Sequence, residues 1–274
     1  MRTLFLIALF ACTFIAKGQS AETKIITLNG AVTEIVCALG FEKNIIATDV
    51  TSTYPSTLKV KDVGHVRNLS IETILSLKPS LVLGTTSDMK PEMISRIKAA
   101  GIKTAFFEQE FSVEGTKKLI AEVAQVLGKK NSKSIIEKID AQLKQIKQPK
   151  QKKKVMFVYA RGAGTMMVAG TNTPMEQMML LAGAENAVKG FADFKPLTPE
   201  ALINANPDFI LLFDSGLKSL GGVDGVLNIE GVSKTTAGKK KQIIAMDGAL
   251  LSGFGPRLGE GVVELNALLE GNGK

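Results

Sequence analysis

At 274 residues, 45% of them hydrophobic, the chain can bury a substantial core as one large or two medium domains. Its single histidine excludes a three-histidine metal site, and its two cysteines exclude a disulfide framework. The net charge of +8 points toward anionic partners, but the lysines are scattered or gathered in tracts such as 150–154 without interleaved aromatics, which reads as a solvated face and not as a nucleic-acid surface.

Residues 1–18 read as a secretory signal peptide. Arg2 supplies the charge, residues 4–15 the apolar run, and Ala16-Lys17-Gly18 the small residues before cleavage at Gln19. The run is too short to span a membrane. Its removal takes away Arg2 and Lys17, so +8 falls to +6. A second reading makes Cys12 a lipid-anchored cysteine after Leu9-Phe10-Ala11, although Phe10 stands where a small residue is usual. Cys37 is then alone in the mature chain, within Ile35-Val36-Cys37-Ala38-Leu39, and reads as a buried small hydrophobe.

Strands are expected over 24–28 and 44–48, separated by a helix over 32–39 that ends at Gly40. Residues 63–68, a loop with the only histidine, lead to Ser70, a predicted N-cap for a helix whose apolar face is Ile71, Ile74 and Leu75. Pro79 stops that helix, and Leu81-Val82-Leu83 has the continuous apolarity of a buried parallel strand. A helix over 91–100, capped by Gly101, and a strand over 103–107 complete a first α/β lobe, 22–128. Residues 112–147 are lysine- and glutamate-rich, break near Gly128, and carry Ile135, Ile136, Ile139, Leu143 and Ile146 on one stripe. This predicts a stiff connector helix within 129–150.

The second lobe, 151–271, opens with a strand over 155–159. Gly162 and Gly164 lack the third glycine of a dinucleotide fingerprint, because Met167 stands there. A helix over 175–181, a strand over 242–246, a turn at Gly253-Phe254-Gly255-Pro256-Arg257 and a closing helix over 258–269 follow. Residues 69–83 align without gaps on 197–211: cap hydroxyl, glutamate two residues on, proline and apolar strand all coincide. The repeat argues for two lobes of similar build.

No serine elbow, phosphate-binding loop or cluster of paired carboxylates is present, so hydrolase, kinase and dehydrogenase readings have no residues to rest on. His65 has two readings, a hydrogen-bonded turn residue or an iron ligand. Glu72 and Glu200 sit in the first turns of equivalent helices, where the helix dipole alone accounts for them.

Val63-Gly64-His65-Val66-Arg67, residues 69–84, Val168-Ala169-Gly170-Thr171-Asn172-Thr173, Lys195-Pro196-Leu197-Thr198-Pro199-Glu200-Ala201 and residues 253–259 together resemble the substrate-binding component of hemin ABC importers. The wider group also binds cobalamin and ferric siderophores, and the resemblance runs from about residue 25 to residue 269. It implies an α/β fold of two similar lobes joined by one long helix, with the ligand cleft between them. It also implies a non-enzymatic, monomeric periplasmic protein without a membrane span, which delivers heme to a permease and its ATPase subunits. The matching positions make His65 the axial ligand, where relatives commonly have tyrosine, and put Arg67 near the heme. Arg257, Arg161 and Tyr159 join them as heme or propionate contacts, while Glu72 and Glu200 pair with permease arginines. The other outcomes are the same fold with a ferric siderophore or cobalamin, or a periplasmic tetrapyrrole enzyme. If His65 is not the ligand, Tyr159 or the Met166-Met167 pair takes its place.

Overall fold

The structure is a computed structural model that describes residues 23–129, 132–146, 149 and 151–271. The signal-peptide expectation lies outside these residues, as do parts of the connector stretch.

The N-terminal half builds β1 (Ile25–Leu28), α1 (Gly30–Ala38), β2 (Ile45–Thr48), β3 (Lys61–Asp62), α2 (Ile71–Ser76), β4 (Leu81–Thr85), α3 (Pro91–Ala99), β5 (Lys103–Phe107) and α4 (Val113–Val126). Its five strands are all parallel, in the order β3-β2-β1-β4-β5. After α5 (Lys133–Leu143) come β6 (Lys154–Ala160), β7 (Met166–Ala169), α6 (Pro174–Leu181), β8 (Glu185–Asn186), β9 (Phe194–Pro196), α7 (Pro199–Ala205), β10 (Phe209–Phe213), α8 (Asp214–Ser219) and α9 (Gly222–Leu227). The chain closes with α10 (Thr236–Lys240), β11 (Ile243–Met246), α11 (Gly248–Ser252) and α12 (Leu258–Leu269). The second sheet has the order β11-β10-β6-β7-β9, with β8 pairing β6; β7 runs antiparallel to both β6 and β9, and the other pairs are parallel. The two-lobe α/β architecture is therefore the observed one.

The internal repeat is geometrically faithful. Ser70 Oγ accepts from Thr73 N at 3.3 Å and Thr198 Oγ1 from Ala201 N at 3.1 Å, so each helix has its expected cap. At the equivalent ends Lys78 and Asn206 adopt left-handed φ of 49° and 40° immediately before their prolines. The five-residue strands β4 and β10 then start at matching positions.

Each sheet is buried on both faces, because its strands alternate between two apolar cores. Ile26 and Val82 of the first sheet with Ile71 and Ile74 of α2 form one outer core, and Met156, Val158 and Ile210 of the second with Leu202 of α7 the other. The inner faces share a single core: Ile25, Leu83 and Leu119 of the first lobe continue through Ile139 of α5 to Phe157, Leu211, Phe254 and Leu265 of the second. The lobes are thus welded along one edge by continuous apolar packing.

The connector is shorter than the 129–150 helix expected from sequence. Gly128 takes φ of 68° and ends the first helix, leaving α4 packed in the first lobe. Among the described residues of this stretch one helix is present, α5 with eleven residues, packed chiefly against α12. The predicted stripe is correct: Ile139 is fully buried, with Ile135, Ile136, Leu143 and Ile146 packed against the shared core. The strands β3, β8 and β9 and the helix α11 were not expected, since each is too short to show a period.

Candidate ligand cleft

In parallel sheets ligands gather at the carboxyl ends of the strands. Here both sheets bring those ends to the space between the lobes. Asn29 follows β1, Thr51 and Thr53 follow β2, Asp88 follows β4, and Gln109 follows β5. Facing them are Phe213 and Asp214 at the end of β10 and Asp247 and Ala249 at the end of β11. They line two adjoining cavities of about 200 Å³ and 430 Å³ that share Thr51, Ala249 and Ser252.

Hydrogen bonds organise the inner cavity. Asn29 caps α1 through Oδ1, which accepts from Val32 N at 3.1 Å. Its Nδ2 donates to Asp88 Oδ2 at 2.9 Å and Gln109 Oε1 at 3.3 Å. Gln109 Nε2 in turn donates across the lobes to Gly253 O at 2.8 Å. Asp49 is buried and accepts from Thr51 Oγ1 and Ser52 Oγ at 2.5 and 2.7 Å, which fixes the segment after β2.

His65 belongs to the loop after β3. Val63, Val66 and Leu69 anchor this loop in the outer core, leaving His65 and Arg67 exposed. Gly64 takes φ of 88° and donates its N–H to Asp62 Oδ1 at 2.7 Å, which turns the chain away from the strand. His65 then caps a short 3₁₀ turn over Val66–Asn68, its Nδ1 accepting from Arg67 N at 3.2 Å.

Tyr159 is half-buried on β6, on the face of Phe157 and so toward the shared core. Its ring meets Phe213 edge-on with centroids 6.3 Å apart, and the exposed Arg161 guanidinium lies 5.6 Å from its centroid. Arg161 N donates to Thr165 O at 3.0 Å, closing the turn to β7. Met167 stands opposite Tyr159 in the ladder, whereas Met166 packs on the outer core.

Arg257 is engaged within the protein. Its Nε and Nη2 grip both carboxylate oxygens of Glu34 at 2.9 and 2.6 Å, and the Tyr54 ring stacks 3.6 Å from the guanidinium. The two side chains are only 12% and 8% exposed. Burial pushes the Glu34 carboxyl above its ordinary range, against the pull of Arg257. The pair joins α1 to the start of α12. Thr116 Oγ1, which donates to Phe254 O at 3.2 Å, and the edge-to-face contact of Phe111 with Phe254 tighten the same joint.

Glu72 and Glu200 are both exposed, in the first turns of α2 and α7. Glu72 accepts from Ser70 Oγ at 2.6 Å, which lowers its pKa, and lies 3.6 Å from Arg96. Cys37 is half-buried beside Glu34 and Tyr54 and not fully enclosed as expected, yet burial pushes its thiol up to about 11.

Sequence reasoning had passed over Glu34 and the cleft carboxylates. Glu34 stands next to Ile35 on a helix with a buried face, where a carboxylate calls for a cation. Asp214 and Asp247 directly follow apolar strands, the position at which parallel sheets expose functional groups.

Among curated proteins, an uncharacterized ABC transporter substrate-binding lipoprotein, YvrC of Bacillus subtilis, is 30% identical over 251 residues, covering 88% of this chain and 78% of the relative. A vitamin B12-binding protein of Vibrio campbellii is 25% identical over 74% of each chain. Among solved structures, the periplasmic heme-binding protein RhuT of Roseiflexus sp. RS-1 superposes with a TM-score of 0.87 at 36% identity, covering 92% of this chain and all of that one. The periplasmic heme-binding protein BhuT, solved with two hemes, gives 0.85 at 33% identity, covering 91% and 98%. The periplasmic binding protein family matches residues 25–250. With this match, these relatives and its two-lobe cleft, the chain belongs to that family, a substrate-binding transport protein and not an enzyme.

Proposed function

We propose that the chain is exported to the periplasm, captures hemin between its lobes through His65, and delivers it to the permease of an ABC importer. The observation that carries this reading is the exposed His65–Arg67 turn at the carboxyl end of the first sheet, in a chain similar along most of its length to heme-binding proteins. The inner cavity is bordered by segments after β1, β4 and β5, and the larger cavity by those after β2, β10 and β11. His65 and Arg67 follow β3, the edge strand beside β2, and Tyr159 and Arg161 stand at the end of β6, the central strand beside β10; none of the four lines either cavity. In this reading heme lies between an imidazole of the first lobe and a phenol of the second, with an arginine near each in sequence.

Ligation requires a small local change. A neutral ring whose Nδ1 accepts from Arg67 N carries its proton on Nε2. Iron binding through Nε2 displaces that proton, and a proton moved to Nδ1 then opposes the Arg67 N–H. The ring must turn out of its cap, at a cost of about 1 kcal/mol. Tyrosine at this position has no such bond to give up. The name of the lipoprotein relative supports anchoring through Cys12 as a variant of the export reading, and the vitamin B12-binding relatives support cobalamin as the second ligand reading.

The test is absorbance titration of the mature protein with hemin and with cyanocobalamin. Hemin is expected to bind and to give an imidazole-ligated spectrum. His65→Ala removes that spectrum, while His65→Tyr retains heme with a phenolate-type spectrum. Binding of cyanocobalamin in the absence of hemin binding overturns the reading, and an unchanged spectrum in His65→Ala moves the ligand to Tyr159.

A further inference from the structure

We infer that Asp214 and Asp247 make the cleft selective for tetrapyrroles whose carboxylates lie along one edge, by turning that edge away from the lobe junction. The inference rests on the hemin reading and deepens it.

The inner end of the cleft is sorted by charge. Asp214 and Asp247 line the larger cavity, and Asp88 and Glu34 the smaller one behind it. Neither cavity has a lysine or arginine among its lining residues. Arg257, beside Glu34, already spends its guanidinium on that carboxylate. Asp247 commits one oxygen to the cap of α11, accepting from Leu250 N at 2.9 Å. Partial burial and the charge of Asp247 push the Asp214 carboxyl above its ordinary range, so the two already repel each other. A propionate delivered here meets like charges in a site with few cations, which costs binding energy.

Cations lie outside these two cavities. Arg67 and Arg161 are exposed on the segments after β3 and β6, and neither forms an ion pair among the described residues. Heme carries its two propionates on adjacent pyrroles. Inserted with the vinyl edge first, it keeps both carboxylates away from Asp214 and Asp247. A porphyrin with a propionate on every pyrrole has no such orientation. Anionic ferric siderophore complexes meet the same obstacle. Asp214 and Asp247 are thus specificity residues that act by repulsion.

The experiment compares hemin with iron coproporphyrin, which has one propionate on each of its four pyrroles. Affinities are measured for the wild-type mature protein and for the Asp214→Asn/Asp247→Asn variant. Asparagine conserves volume and keeps the cap oxygen at position 247, so the variant removes charge alone. The wild type is expected to prefer hemin, and the variant to narrow that preference about tenfold, most strongly at low salt. A preference unchanged in the variant, or insensitive to salt, overturns the inference while leaving hemin binding intact. A wild type that binds neither porphyrin overturns the hemin reading itself.

Discussion

Replacing Arg257 separates its two readings, propionate contact and structural joint. In the structure its guanidinium is forked onto Glu34 at 2.9 and 2.6 Å and covered by Tyr54 at 3.6 Å. Its side chain is 12% exposed and that of Glu34 8%. Arg257→Ala therefore leaves a carboxylate buried without its cation, a change that costs about 3–5 kcal/mol in comparable sites. Loss of the stacked ring contact adds about 0.5–1 kcal/mol. The assay is urea denaturation followed by far-ultraviolet circular dichroism, in a cycle with Glu34→Leu and the double variant. With the carboxylate gone, Arg257 has no partner to strand, so the second replacement is expected to cost far less than the first. Equal costs for Arg257→Ala with and without Glu34 would refute the reasoning. So would a loss below about 1 kcal/mol, the size expected of an exposed pair. A large fall in hemin affinity at unchanged stability would return Arg257 to the ligand.

The Glu72→Ala/Glu200→Ala variant is expected to associate weakly with the permease while binding hemin normally, and the deficit shrinks as salt rises. Pull-down on permease reconstituted in nanodiscs reads the effect, and normal association with lost hemin binding would overturn the docking role. At Gly259 an added Cβ would lie 2.8 Å from Gln142 Cβ and Oε1 and 3.1 Å from Ile139 O, where α12 crosses α5. Gly259→Ala should cost about 1–3 kcal/mol in urea unfolding by forcing the helices apart, with Gln142→Ala recovering only the share due to Oε1, since alanine keeps the Cβ. No recovery would mean that the Cβ at 142 and the backbone of α5, and not the Gln142 amide, set the spacing.

Sequence alone determined what depends on neighbours along the chain. Caps at Ser70 and Thr198, the break at Gly128, the stripe through Ile139 and the apolar strands at 81–83 and 209–211 are all local signals. The repeat was legible for the same reason, since each copy stores its own helix, stop and strand within about fifteen residues. The family resemblance pointed to His65, whose exposure follows from the Val63, Val66 and Leu69 anchors around it. Tertiary structure decided what depends on residues far apart in sequence. Nothing near Arg257 announces Glu34, 223 positions away, yet their pairing changes the arginine's place in the molecule. Asp88, Asp214 and Asp247 looked like ordinary loop and cap residues, and became one acidic end of a cleft only when parallel strands brought their carboxyl ends together. Short elements such as β3 and α11 escaped detection because they are held by neighbours in space and contain too few residues to show a period. Periodicity records which face of an element is buried; the fold decides which elements those faces meet.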